Sequence, residues 1–317
     1  MAYKTKILTK MTVSAVFLSV LMSILMFPTM VGGVRFLDMG FLVWLHLVPL
    51  LVAIHPYNFK TKFGFCLVYA FLASVGQLFW LVSAVHVFGG LSIPISILVF
   101  ALLALFLATI SALFLSAASW VNHLNRIPLA ILLPLFLLAK DVCLYWPFGG
   151  FPWALPGYSQ GQWIRYFQWV DHTGILGLDV YIYFFNALLA EALIFVFYRR
   201  QLDKMVSRFL MAFFTMLISF SLSFFASQIY EKNKVSPGAV TLALIQGNIS
   251  QDHKWDPYKS QENLQRYLRL TNLAVQNGAE LVIWPETAYP YGLNEASLSR
   301  ERFLEQDGLP APIFLEL

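Results

Sequence analysis

Residues 91–120 read LSIPISILVFALLALFLATISALFLSAASW and contain no Asp, Glu, Lys, Arg or His. A helix needs about 20 such apolar residues to cross a hydrocarbon core, so this stretch predicts a membrane span. Five further runs meet the same test: Met11 to Met30, Phe63 to Val85, Ile127 to Trp146, Ile175 to Tyr198 and Phe209 to Ile229. Phe41 to Ile54 is short, and its composition fits either a seventh span helped by Phe36 to Gly40 or a re-entrant segment. The whole chain is 59% hydrophobic and 12% charged, against roughly 25% charged in a soluble domain. Most of it must therefore face lipid.

With seven spans, the loops on the N-terminal side carry ten basic residues: Lys4, Lys6, Lys10, Lys60, Lys62, Arg126, Arg199, Arg200, Lys204 and Arg208. The opposite loops up to the last span carry two, Arg35 and Arg165. Basic loops stay in the cytoplasm, which predicts a cytoplasmic N-terminus and places everything after Ile229 outside. The net charge of +4 is spread in short clusters between apolar runs, a membrane-orienting pattern and not a nucleic-acid patch. Lys4, Lys6 and Lys10 before an apolar run fit a signal peptide, but Phe27-Pro28-Thr29-Met30-Val31-Gly32-Gly33 offers no small-residue cleavage site. An uncleaved first span is expected.

Cys66 and Cys143 both sit in apolar runs and form neither a disulfide framework nor a zinc-ligand spacing. No two of His46, His55, His86, His123, His172 and His253 share a helical i, i+3 or i+4 spacing, so no metal site is expected. Lys140, Asp141, Asp179 and Glu191 are costly in a membrane and should face the bundle interior or water. Sequence neighbours point in different directions on a helix, so Lys140 and Asp141 need not pair.

The composition changes at Glu231-Lys232-Asn233-Lys234 and Pro237-Gly238. This divides a transmembrane domain, 1–235, from an extramembrane segment, 236–317. Val240 to Gln246 reads as a buried strand closed by Gly247-Asn248. Tyr258 to Gln276 places Leu264, Tyr267, Leu268, Thr271 and Val275 at helical spacing, and Asn277-Gly278 is a helix stop. Leu281 to Ile283 is a second strand, and the three elements make a βαβ unit with parallel strands. Beyond Tyr291 the pattern weakens up to Pro310, Pro312 and Leu317. One βαβ unit is too small to bury a stable core alone.

The second strand runs into Trp284-Pro285-Glu286-Thr287, and α/β folds place reactive groups at the C-terminal ends of parallel strands. A helix cap or solvated turn is the plainer role for such a glutamate. Leu244-Ile245-Gln246-Gly247-Asn248, then Lys254-Trp255-Asp256-Pro257, then Trp284-Pro285-Glu286-Thr287-Ala288 resemble, in order and spacing, the start of the carbon-nitrogen hydrolase (nitrilase) domain of the apolipoprotein N-acyltransferases. Gly150-Phe151-Pro152-Trp153 and Gly157-Tyr158-Ser159-Gln160 resemble that family's non-cytoplasmic loop before its sixth span. The resemblance implies an α-helical bundle of about seven spans followed by part of an αββα nitrilase-like sandwich. It also implies a bacterial inner-membrane enzyme with that segment on the periplasmic side.

The implied reaction moves an acyl chain from a phospholipid donor to the N-terminal α-amine of a diacylglyceryl-cysteine apolipoprotein through a thioester, without a cofactor. The family uses a glutamate as general base, a lysine as oxyanion stabiliser and a cysteine as nucleophile. Glu286 matches the glutamate, a role that favours partial withdrawal from water beside Trp284 and Pro285. Trp255 matches a tryptophan near the lipid side of the family's active site, an implied substrate contact; by residue type alone it is equally an interfacial aromatic, as are Trp146, Trp153 and Tyr158.

The sequence departs from the family in two places. Where members carry a glutamate and an arginine three residues later, this chain has Asp141 and Leu144. After Glu286 neither a lysine nor a cysteine occurs, so the expectation is a C-terminally truncated enzyme, inactive alone. The alternatives are a non-catalytic membrane remnant and a transporter whose buried charges mark a pathway, although no internal repeat supports the latter.

Overall fold

A computed structural model describes residues 2–27, 30–31, 34–35, 39–125, 127–145, 151, 153–232, 238, 240–286 and 288–289. Arg126, Trp146, Gly150, Pro152, the linker residues Asn233, Lys234 and Pro237, Thr287 and everything from Pro290 onward lie outside the described residues. The chain divides into two units, Met1–Asn233 and Lys234–Leu317.

The first unit is helical: α1 (Ala2–Leu25), α2 (Val48–Ile54), α3 (Phe59–Leu78), α4 (Leu81–Val87), α5 (Ile93–Asn125), α6 (Leu129–Tyr145), α7 (Val170–Ile194) and α8 (Leu202–Lys232). Among the described residues, four helical stretches are long and apolar enough to cross a membrane: Phe59–Leu78, Ile93–Leu124, Val170–Arg199 and Leu202–Ile229. Thr9–Leu25 and Gly40–Ile54 are shorter apolar helical segments. A two-residue antiparallel pair, β1 (Met30–Val31) and β2 (Val34–Arg35), follows α1; no alternation in the sequence announced it.

Small residues bring the central helices together. Ala104, Ala108 and Ala112 repeat every fourth position of α5 and are fully buried, allowing close helix approach. Leu98, Leu102, Leu105, Leu135, Phe213, Phe224 and Phe225 point outward, as lipid requires.

The expected run Phe63 to Val85 is two helices. At Phe79 and Trp80 the bonding tightens to Val82 N to Phe79 O at 3.2 Å and Ser83 N to Trp80 O at 3.1 Å. Trp80 meets the Trp153 ring at 4.9 Å there. The expected start at Ile175 coincides with a break inside α7, where Gly174 adopts φ 67.

The ambiguous stretch 41–54 is also broken, into a 3-10 turn (Gly40–Trp44) and α2. Irregular backbone at membrane depth needs protein partners for its open polar groups. Asn186 supplies two, donating to Val43 O at 2.9 Å and accepting from Leu47 N at 3.0 Å. Ser19 Oγ accepts from Leu50 N at 3.1 Å, and Gln160 donates to Gly40 O at 2.8 Å. Lys62 closes the far end of α2, its Nζ donating to Ile54 O, His55 O and Ser119 Oγ at 2.9, 3.0 and 2.9 Å. Lys62, expected among the basic loop residues, is fully buried; it is a helix cap.

In the second unit, β3 (Leu242–Leu244) pairs in parallel with β4 (Leu281–Ile283), Leu242 opposite Leu281 and Leu244 opposite Ile283. Between them run α9 (Gln251–Lys254), a 3-10 turn at Pro257–Lys259 and α10 (Ser260–Gln276). This is the expected βαβ order. Gly278 ends α10 at φ 88, with Ala279 N bonded to Ala274 O and Gly278 N to Val275 O, the paired closure of a left-handed helix stop.

The first strand differs from expectation in length and burial. It spans three residues instead of Val240 to Gln246, and Leu242 and Leu244 are exposed. Alternation puts these two on one sheet face and Ala243 on the other; α10 buries Leu264, Tyr267 and Thr271. Val275, expected on that stripe, is exposed.

Candidate active site

The end of β4 is held from two sides. Trp284 Nε1 donates to Thr271 Oγ1 at 2.8 Å, and its ring stacks on Tyr267 with centroids 5.2 Å apart. Tyr267 in turn lies over Gly247, where an added Cβ would fall 2.6 Å from the tyrosine ring. The helical stripe, the glycine after the first strand and the tryptophan of the second strand thus form one stack, which fixes where Pro285 and Glu286 emerge.

The other side is electrostatic. Lys254, the last residue of α9, donates from Nζ to the main-chain oxygen of Glu286 at 3.1 Å. α9 is tied to α10 through Asn263 Nδ2 and His253 O at 2.9 Å. Asp256 Oδ1 accepts from Tyr258 N at 2.9 Å and turns the chain at Pro257. Lys254-Trp255-Asp256-Pro257 therefore has a division of labour: lysine to the strand end, aspartate to the turn, tryptophan outward at 61% exposure.

Glu286 opens the turn after β4, with Ala288 N bonded to Pro285 O at 3.1 Å. Its side chain is exposed, against the expected withdrawal from water, while Trp284 turns toward Thr271 and Tyr267 of α10. The site thus gathers a solvent-reached carboxylate, an anchored ammonium and, next in the chain to that ammonium, an exposed indole. The role of Lys254 leaves no signal in the sequence, because its acceptor is a main-chain carbonyl 32 residues away.

The bundle's charged residues form separate structural sites. Asp141, Asp179 and Glu191 are buried as expected. Lys140 and Asp141 do pair, Nζ to Oδ1 at 2.5 Å, because a flexible lysine stem can fold back where the low dielectric rewards it. Tyr183 OH donates to Asp141 Oδ2 at 3.2 Å. These groups line a cavity of ≈ 130 Å³.

Asp179 Oδ1 accepts from Gly157 N at 2.6 Å and ties the loop after α6 to α7. Glu191 accepts from Leu129 N at the start of α6 and from Arg208 Nε at 2.7 Å, joining α6, α7 and α8. Cys66 is in the core, whereas Cys143, in α6, is exposed.

Residues 18–188 match the family profile described as apolipoprotein N-acyltransferase N-terminal domain, and residues 241–317 match the one described as carbon-nitrogen hydrolase. Among curated proteins, the apolipoprotein N-acyltransferase of Geobacter metallireducens is 30% identical over 79% of this chain and 47% of its own length. That of Shewanella oneidensis is 30% identical over 74% and 42%, and that of Haemophilus influenzae 28% over 67% and 38%. The chain thus spans less than half the length of these relatives. The first profile alone covers more than half of its residues, and the chain belongs to the apolipoprotein N-acyltransferase family.

Proposed function

We propose that this chain serves lipoprotein maturation as the membrane domain and the first part of the catalytic domain of an apolipoprotein N-acyltransferase. The supporting observation is the order of parts: a lipid-facing bundle, then a parallel βαβ unit in the carbon-nitrogen hydrolase region with Glu286 where its second strand ends. The division falls at 1–235 and 236–317, with about seven spans counting 41–54 and a nitrilase-like αββα layer order. The bundle lies in the bacterial inner membrane with its N-terminus cytoplasmic and Glu286 periplasmic.

The donor is a phospholipid and the acceptor the α-amine of a lipidated apolipoprotein cysteine. Glu286 takes the proton of the attacking thiol as sulfur adds to the ester carbonyl, then returns it to the departing lysophospholipid oxygen. In the second half it takes a proton from the incoming amine while the thiolate leaves and the amide forms. Trp255 bears on the lipid substrate. Cys66 and Cys143 both lie outside the carbon-nitrogen hydrolase region, 241–317, so neither is the thiol in this scheme, and these residues alone form no acyl-enzyme.

The test is complementation of cells depleted of their own N-acyltransferase with the complete reading frame that contains this chain, scoring N-acylated lipoprotein by mass. Glu286→Gln should lower acyl transfer by at least about 100-fold, the usual worth of a general base. Near-normal transfer in that variant would reduce Glu286 to a turn residue.

A further inference from the structure

The end of the bundle where α7 meets α8 gathers cations that the acylation scheme does not use. Beyond Ile194 the helix widens into a π turn, Phe195–Arg199, and closes at Arg200, which is left-handed at φ 50. Gln201 N returns to Phe195 O at 3.0 Å. This folds three cations around one buried ring: Arg199 Cζ at 5.4 Å, Lys204 Nζ at 5.8 Å and Arg208 Cζ at 5.8 Å from the Phe195 centroid. Any two of them are therefore within twice the longest of these distances of one another. An aromatic face favours a nearby cation by only about 0.5–1 kcal/mol at an exposed site, and it leaves the cations' charge unneutralised.

The acids at this end cover one cation. Glu191 is taken by Arg208. Asp203 lies in the first turn of α8, and the ion pairs among the described residues are Lys140–Asp141, Arg208–Glu191 and Lys259–Glu262. Among the described residues, Arg199 and Lys204 are thus left without a carboxylate at ion-pair distance. The titratable neighbours are His55, whose ring meets Tyr198 at 5.2 Å, and His123, 5.4 Å from His55; neither adds negative charge.

The surroundings are apolar and turned outward: Phe197 is 65% exposed and Leu202 63%, with Val206 and Phe209 also exposed. Cations bordered by lipid-facing apolar side chains match a phosphate at the head-group level whose acyl chains run down the bundle wall. We propose that Arg199 and Lys204, set around Phe195, form a binding site for the phosphate of an anionic phospholipid. The ligand is a lipid and not free phosphate, because the flanking side chains would meet only water around a free ion.

The full chain reconstituted in phosphatidylcholine vesicles, probed with spin-labelled phosphatidylglycerol and spin-labelled phosphatidylcholine, reads the selectivity as the ratio of motionally restricted lipid. The Arg199→Gln/Lys204→Gln pair should lower it by roughly fivefold or more, since each basic residue near a membrane surface is worth about one such factor. Lys60→Gln, a basic residue outside the cluster, should leave it nearly unchanged. Arg199→Lys keeps the charge and should retain most of the selectivity, which keeps the test sound if the double variant fails to insert. Equal losses in Lys60→Gln and the double variant would overturn the site in favour of diffuse attraction. Displacement of the labelled lipid by millimolar inorganic phosphate at constant ionic strength would overturn the lipid as ligand. No arm depends on acyl transfer, so failure of the enzymatic reading leaves the result intact.

Discussion

The two units place the same residue types in opposite surroundings. In the membrane unit, Lys62, Asp141, Asp179 and Glu191 are buried and bonded, while leucines and phenylalanines face outward. In the C-terminal unit, Lys259 and Glu262 stand in water at 42% and 71% side-chain exposure, and Glu286 is exposed as well. The contrast teaches that a charge in this chain has no fixed worth. Where water is present an ion pair is nearly neutral in energy; where it is absent Lys62, Asp179 and Glu191 each close open backbone groups, and Asp141 is held by Lys140 and Tyr183.

Lys62 is the sharpest instance, and the largest effect is expected there. Its ammonium satisfies two carbonyls at the end of α2 and the Ser119 hydroxyl. Lys62→Met fills the space but orphans those acceptors in an apolar interior, which should cost about 3 kcal/mol or more. The midpoint of SDS-driven unfolding in mixed micelles measures it. The same change at Lys259 should not move that midpoint, and equal shifts would break the comparison.

Asp179 ranks next. Asp179→Ala leaves Gly157 N without its acceptor and should cost about 1–3 kcal/mol by the same assay. Asp179→Asn keeps a carbonyl oxygen in place and should recover most of the loss. A loss in the asparagine variant as large as in alanine would show that the negative charge matters, and not the bond to the loop.

In the C-terminal unit a smaller, local effect is expected from Gly247→Ala. The new methyl would meet the Tyr267 ring at 2.6 Å and push it off Trp284. Overpacking of this kind costs about 1–3 kcal/mol, confined to the β3, α10 and β4 stack. Hydrogen exchange on the full chain should quicken in peptides from 242–246 and 281–286 and stay constant in α5. Unchanged exchange in both strand peptides would mean that Tyr267 yields without cost and does not fix the strand end.

The architecture was legible where the surroundings impose one rule on many residues. Long apolar runs read as lipid-facing helices, and the stop at Asn277-Gly278 and the parallel βαβ order followed from local chemistry. What escaped were single polar residues that act at long range. Asn186 bonds to backbone 139 and 143 positions away, and Lys254 to backbone 32 away; neither contact leaves any periodicity. The break at Phe79-Trp80 escaped for a related reason, since neither Pro nor Gly marks it. Burial of the first strand was misread because an apolar run looks alike whether one sheet face or both are covered.

The weakest effect bears on the other half of the comparison. Lys259 Nζ donates to Glu262 Oε2 at 3.1 Å, and this bond, then the lysine charge, holds the Glu262 carboxyl below its ordinary value. A carboxyl depressed in the folded chain adds stability above its unfolded value and loses it as the pH falls through the depressed one. The contribution should therefore vanish only in acid, within the range where Glu262 itself titrates. Lys259→Met should raise the carbon-13 titration midpoint of Glu262 toward the ordinary glutamate value, and added salt should shrink the difference by screening the pair. Part of the depression should survive the substitution, because Glu262 sits in the first turn of α10, where the helix dipole favours an anion. At neutral pH, where the whole contribution is present, the unfolding midpoint should fall only marginally, because solvent screens an exposed pair. A clear loss there would mean that an exposed charge in this unit holds backbone as Lys62 does in the bundle, and the distinction between the units would fail.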